Sequence, residues 1–226
     1  MGHSQLGATI VSATTAIDEA VRDGMTLMVG GFGLVGAPLT LIRALNASDH
    51  KDLTIISNNL GEPGKGLGET LRLGKVRRAI GSFFTSNPEV AEARDRGDLE
   101  VTLLPQGTLS EAMRAGGAGL GGFYTPTGVG TLLAEGKEVR ELNGKRYVFQ
   151  EPIRSDVALV RAHRADRLGN LVYYKTARNF NPMMATAADV VIAEVDAVVD
   201  VGQIDPEAVV TPHLFVDFLV IAEDTL

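Results

Sequence analysis

The run Asp23 to Pro38, DGMTLMVGGFGLVGAP, constrains the fold more than any other segment. Met25, Leu27, Met28 and Val29 form an apolar stretch suited to a buried strand. Gly30, Gly31, Gly33 and Gly36 follow at once, and Pro38 opens a helical pattern over residues 39–45. Strand, glycine loop and helix together put backbone N–H groups and a positive helix end around an anion. From Gly31 the loop spells G-x-G-x-x-G. A dinucleotide fold also wants an acid at the end of the second strand, to hold the ribose hydroxyls. Here the second strand, residues 53–57, runs into Asn58-Asn59 instead. The loop reads as a seat for a phosphate, a pantetheine or a carboxylate, with tight packing alone as the plainer alternative.

The same rhythm continues down the first half. Residues 14–22 read as a helix with a Ser/Thr cap and an acidic first turn, stopped by Gly24. Residues 67–73 read as a helix, 76–84 as a strand, 88–96 as a helix opened by Pro88, and 99–104 as a strand stopped by Pro105. A β-α-β-α-β-α-β order with short connections implies an α/β fold, an open and mostly parallel sheet with helices on both faces. The active edge of such a sheet lies at the carboxyl ends of its strands. Those ends carry residues 30–36, Asn58-Asn59, residues 84–87 and Gln106-Gly107.

The second half adds a glycine-dense loop over 116–130 and a hairpin, residues 139–142 and 145–149 around Asn143-Gly144. Residues 156–162, 171–174, 190–195 and 213–221 read as strands, and 182–187 as a helix. No linker interrupts them, so residues 5–226 are expected to form a single domain.

Composition narrows the chemistry. The 226 residues include no cysteine, so disulfides, thiolate metal sites and a cysteine nucleophile are excluded. A net charge of -7 speaks against a general nucleic-acid surface. No apolar run reaches the ~20 residues of a membrane helix, and the opening Met1-Gly2-His3-Ser4 has no secretory pattern. The expected location is the cytoplasm. His3, His50, His163 and His213 share no metal-ligand spacing, so no metal is expected.

Asn58 and Asn59 are either turn caps or amide donors into the crevice. Gln106 is either a loop hydrogen-bonder or a donor to a carbonyl oxygen that gains charge. Thr108-Leu109-Ser110-Glu111 fits a capping box for a helix over 109–115, making Glu111 structural. Lys65 lies in no nucleotide P-loop, because Gly66 follows it where Ser or Thr is needed. Lys75, Arg77 and Arg78 read as a solvated basic face. The chain offers binding loops and amide donors without an evident nucleophile.

DGMTLMVGGFGLVGAP, ISNN at 56–59, LPQGTLSE at 104–111, RAGGAGLGGFYTPTGVGT at 114–131 and ARNFNP at 177–182 together resemble the alpha, or A, subunit of the 3-oxoacid CoA-transferase family. The resemblance runs from about Thr14 to Ile221. It implies a fold related to ribose-phosphate isomerases, a separate subunit, and ping-pong transfer of CoA through a glutamate. That glutamate is implied to lie on the beta, or B, subunit of an α2β2 assembly. Coenzyme A enters as substrate, with no permanently bound cofactor. By the motifs, Gly30, Gly31, Phe32, Gly33, Leu34, Val35 and Gly36 are the implied CoA-binding loop. Gln106, Asn58 and Asn59 are the implied amides of the acyl site. Phe32 and Phe123 are either walls of the acyl pocket or core. The implied substrates are an acyl-CoA such as succinyl-CoA and a 3-oxoacid such as acetoacetate or 3-oxoadipate. A stand-alone phosphosugar isomerase-like enzyme or sensor on the same fold is the alternative.

Overall fold

The computed structural model describes residues 7–223. Gly2, His3 and Ser4, and the outermost residues of the 5–226 span, lie outside them. In chain order the elements are β1 (Thr9–Ile10), α1 (Ala13–Ala20), β2 (Thr26–Val29), α2 (Leu39–Ala47), β3 (Leu53–Ile56), α3 (Leu67–Arg72) and β4 (Val76–Gly81). Then come α4 (Pro88–Arg96), β5 (Glu100–Leu103), α5 (Gln106–Gly117), β6 (Phe123–Thr125), β7 (Val139–Leu142), β8 (Lys145–Gln150) and β9 (Ser155–Asp166). β10 (Leu171–Val172), α6 (Asn181–Thr186), β11 (Ala188–Val199) and β12 (Phe218–Ile221) complete the chain.

The main sheet runs β1-β12-β11-β9-β2-β3-β4-β5, with β10 beside β9. Every pairing along that path is parallel, and only β10 is antiparallel. The central strands are apolar on both faces, as a parallel sheet covered on both sides requires. Alternation sorts their side chains. Leu27, Val29, Val157 and Leu159 pack with Ile17, Leu41 and Val90 of α1, α2 and α4 on one face. Met28, Ala158 and Val160 pack with Leu109, Met113 and Met184 of α5 and α6 on the other. The expected open α/β sheet with two helical layers is therefore what this sequence builds.

Strand order reverses between β2 and β9. From β2 the sheet grows through β3, β4 and β5; from β9 it grows the other way through β11 and β12. The gap above such a reversal is where open α/β sheets place their ligands. The glycine loop leaves β2 at this point, and the Gly30 N–H extends the ladder by donating to Leu159 O, 3.0 Å away.

β6, β8 and β7 form a separate antiparallel sheet. Its hairpin turns at Asn143-Gly144, both with positive φ (51° and 74°), the pairing a two-residue turn of this hand demands.

Several local readings are corrected. α1 starts at Ala13 under a Ser12 cap and has no acid in its first turn, because Asp18 and Glu19 fall later. β4 stops at Gly81, where Ser82 and Phe83 both donate to Asn58 O. β9 and β11 run 12 residues each, well past their apolar cores. The stretch 213–221 divides into a short 3-10 turn, His213–Phe215, and β12. The glycine-dense loop gives its first two residues to α5 and its middle to β6.

Candidate functional site

The loop after β2 is folded on itself. Phe32 N–H donates to Val35 O and Val35 N–H to Phe32 O, at 3.0 and 3.2 Å, around Gly33 with φ +61°. The tight turn pushes two apolar side chains outward: Phe32 is 51% exposed and Val35 54%. Phe32 is therefore not core. Phe123 is half-buried at the start of β6.

Two asparagines from across the sheet hold this turn. Asn179 accepts from Gly31 N–H through Oδ1 (3.2 Å) and donates through Nδ2 to Val35 O (3.0 Å). Asn181, fully buried, accepts from Arg161 N–H at 2.8 Å and donates to Gly36 O at 3.0 Å. This contact explains Gly30: a Cβ there would lie 1.8 Å from Asn181 Oδ1. Both asparagines belong to the ARNFNP motif, yet the motif alone gives them no role. N–H groups of Gly33, Leu34 and Gly36 have no partner among the described residues.

The positive end of α2, expected to face an anion, is already occupied. Glu194 of β11 reaches under the helix, and its Oε2 accepts from Leu41 N–H at 3.0 Å. Glu194 also faces Arg161 Nε at 3.5 Å, with both side chains 2% exposed. Burial raises the Glu194 carboxyl above the usual carboxylate range; the Leu41 amide and Arg161 pull the other way. Asp196, two residues on, pairs with the Arg161 guanidinium and with His163 Nδ1, the latter at 2.7 Å. Arg161, His163, Glu194 and Asp196 sit on adjacent strands, Arg161 opposite Glu194 in register. The signal was present in the sequence: alternate basic residues in one apolar strand, alternate acids in another.

Next along the edge, Asn58 and Asn59 are both buried. Asn58 Nδ2 donates to Ser82 Oγ at 2.9 Å, and Asn59 Oδ1 accepts from Gly61 N–H at 3.2 Å. Each thus braces its own turn. Asn59 also lines a small recess with Gly30, Gly33, Leu34 and Gly61, and its Nδ2 has no partner among the described residues. Beyond it, Glu62-Pro63-Gly64-Lys65 repeats the doubly bonded turn of the glycine loop. Asn87 caps α4 through Glu89 N–H and ties it to Leu60 O. Lys75 is buried, donating to Ser48 O and His50 O behind α2, at the amino end of β4. It belongs to no exposed basic face.

Gln106 is the first residue of α5. Its exposed side-chain amide has no partner among the described residues. The capping-box expectation fails here. α5 begins three residues earlier than 109, so Thr108 is inside it rather than before it. Glu111 pairs with Arg114 at 2.6 Å, which lowers its carboxyl and raises the guanidinium. Pro105 at the cap position provides no side-chain acceptor. The first helical hydrogen bond is Leu109 N–H to Pro105 O, leaving the N–H groups of Gln106, Gly107 and Thr108 open. The carboxyl edge thus combines one closed helix end, one open helix end and an apolar-tipped glycine turn. Among the described residues no cluster of His, Asp or Glu could hold a metal ion, and no helix is long and apolar enough to cross a membrane.

Residues 10–222 match the family model described as coenzyme A transferase. The alpha-type (A) subunit of succinyl-CoA:3-ketoacid coenzyme A transferase from Xanthomonas campestris pv. campestris (strain B100) is 51% identical over 209 residues, 92% of this chain and 86% of its own. The corresponding subunit of 3-oxoadipate CoA-transferase from Pseudomonas putida is 48% identical over 217 residues, 95% of this chain and 94% of its own. Among solved structures, an acyl-CoA transferase from Escherichia coli O157:H7, in a thioester complex with CoA, superposes with a TM-score of 0.87 at 23% identity. That likeness covers 97% of this chain and 48% of the other, so this chain spans about half the length of that enzyme.

Proposed function

Because the chain belongs to the coenzyme A transferase family, we propose that it is the alpha subunit of a heteromeric 3-oxoacid CoA-transferase. In this reading CoA passes from an acyl-CoA such as succinyl-CoA to a 3-oxoacid such as acetoacetate or 3-oxoadipate. A beta-subunit glutamate carboxylate attacks the thioester carbonyl and expels CoA thiolate, leaving an acyl-glutamyl anhydride. The thiolate then attacks the glutamyl carbonyl, releasing the first acid and forming a glutamyl-CoA thioester. The acceptor carboxylate reverses both steps.

This chain provides the amide side of the site. Gln106 donates to the oxyanion that forms at the attacked carbonyl; Asn59 offers its free Nδ2 in the recess beside the glycine turn, and Asn58 braces the turn through Ser82. The turn of Gly30, Gly31, Phe32, Gly33, Leu34, Val35 and Gly36 meets CoA with its exposed Phe32 and Val35 and its open N–H groups. The chain acts as one domain in a cytoplasmic α2β2 assembly and keeps no resident cofactor. The observation that carries the reading is the unpartnered Gln106 amide at the open end of α5, on the carboxyl edge of the sheet. Co-expression tests it. The isolated chain should transfer no CoA, and addition of the beta subunit should restore transfer. Tight binding of a phosphosugar, with no transfer in either preparation, would favour the isomerase-like alternative.

A further inference from the structure

The open end of α5 has a second feature, separate from Gln106. Thr108, on the buried side of the first turn, is 7% exposed, and its hydroxyl has no partner among the described residues. It faces a small recess between Leu104-Pro105 and the antiparallel sheet, shared with Thr125, Thr127, Lys137 and Gln150. The lining contains no acid. Lys137 uses one of its three donors on Gln150 Oε1, at 2.9 Å, and Gln150 is pinned in turn through Nε2 to Glu151 O. The next acid, Glu138, is engaged by the Tyr124 hydroxyl and by Arg140, so it does not compete for Lys137. An unpartnered hydroxyl and an ammonium therefore share one recess beside the open start of α5, with room for about one water-sized atom.

From this convergence we infer that the recess at Thr108 is a carboxylate subsite, taking one oxygen of the acyl substrate. The oxygen accepts from the Thr108 hydroxyl, Lys137 balances its charge, and the open start of α5 alongside adds a favourable field. Gln106 and this recess do different work. An uncharged amide suits charge that develops in the transition state, whereas an ammonium beside a helix end suits charge that persists. The inference rests on the proposed transferase reading and specifies what that site holds. The carboxylate is either the reacting one, present in every acceptor, or the second one of a dicarboxylic acid.

Calorimetry on the co-expressed complex of the two subunits tests it, with acetate as the monocarboxylate probe and succinate as the dicarboxylate. Thr108→Val, which keeps the shape and removes the hydroxyl, should weaken binding about tenfold, and Thr108→Ser should restore it. Lys137→Met, at an exposed position that cannot disturb the core, should weaken the same probe. Loss for both acids assigns the reacting carboxylate; loss for succinate alone assigns the second one. Unchanged affinity for both acids in both Val and Met variants, or no carboxylate binding by the wild-type complex, overturns the subsite. A wild-type complex that binds carboxylates but transfers no CoA would instead sink the transferase reading and leave the subsite standing.

Discussion

Two helices start at the carboxyl edge of the same sheet, and their first turns are treated in opposite ways. α2 follows the glycine loop, and its N-terminus is closed by Glu194, a carboxylate of the protein itself. α5 follows Leu104-Pro105, has no side-chain cap, and leaves three N–H groups, Gln106 and Thr108 without partners. A helix end is a site for anions only while it is vacant. The fingerprint before α2 therefore marks a structural joint, and the helix without a fingerprint is the one whose first turn stays open. The glycine loop serves that joint as well. Asn179 and Asn181 fasten it, and only its outward face remains for a ligand.

Breaking the closed end should cost the most. Glu194→Ala removes the acceptor for Leu41 N–H and strips Arg161 of one buried partner. Denaturant unfolding should show a loss of about 3–5 kcal/mol. Glu194→Gln keeps an acceptor for the helix and should lose less. An open end behaves differently: Gln106→Ala should lower kcat of the complex by roughly 10²–10³-fold. Its unfolding midpoint should stay where it was, because the exposed amide bonds to nothing in the protein. An equal loss of stability in both variants would erase the distinction between the two helices.

Between these lies the fastening of the loop. Gly30→Ala drives a methyl into Asn181 Oδ1 and should destabilise by about 1–3 kcal/mol. It should also loosen Gly36 and Val35, seen as faster amide exchange across 31–36. The smallest effect belongs to Glu111→Ala, which removes only a surface pair with Arg114 and should leave the unfolding curve unchanged. A clear drop there would bring back the capping box at Thr108.

Much of this fold was legible because the signals are local. The strand Thr26–Val29, the helix Pro88–Arg96 behind its proline, and the Asn-Gly hairpin each announce themselves within a few residues. What was missed depends on distant partners. The cap of α2 comes from a residue 153 positions away, and no window around Pro38 contains it. β9 and β11 outrun their apolar cores because Arg161 and His163 on one strand answer Glu194 and Asp196 on the other. Read singly, each charge argues for the end of a strand. β1 is two exposed residues on a sheet edge, too short to carry any period. At the site, Gln106 and the two asparagines were found as residue types in suggestive places. Which amides remain free, and that Asn58 and Asn59 brace turns, required the neighbours.

Under the proposed function the labour is divided: this chain would supply amides and an anion seat, and its partner the nucleophile. The most direct measurement incubates the assembled enzyme with acyl-CoA alone, reduces the trapped enzyme–CoA thioester with labelled borohydride, and locates the label by peptide mass. Label is expected on one glutamate of the beta subunit, with none on this chain; label on any glutamate of this chain would contradict that division.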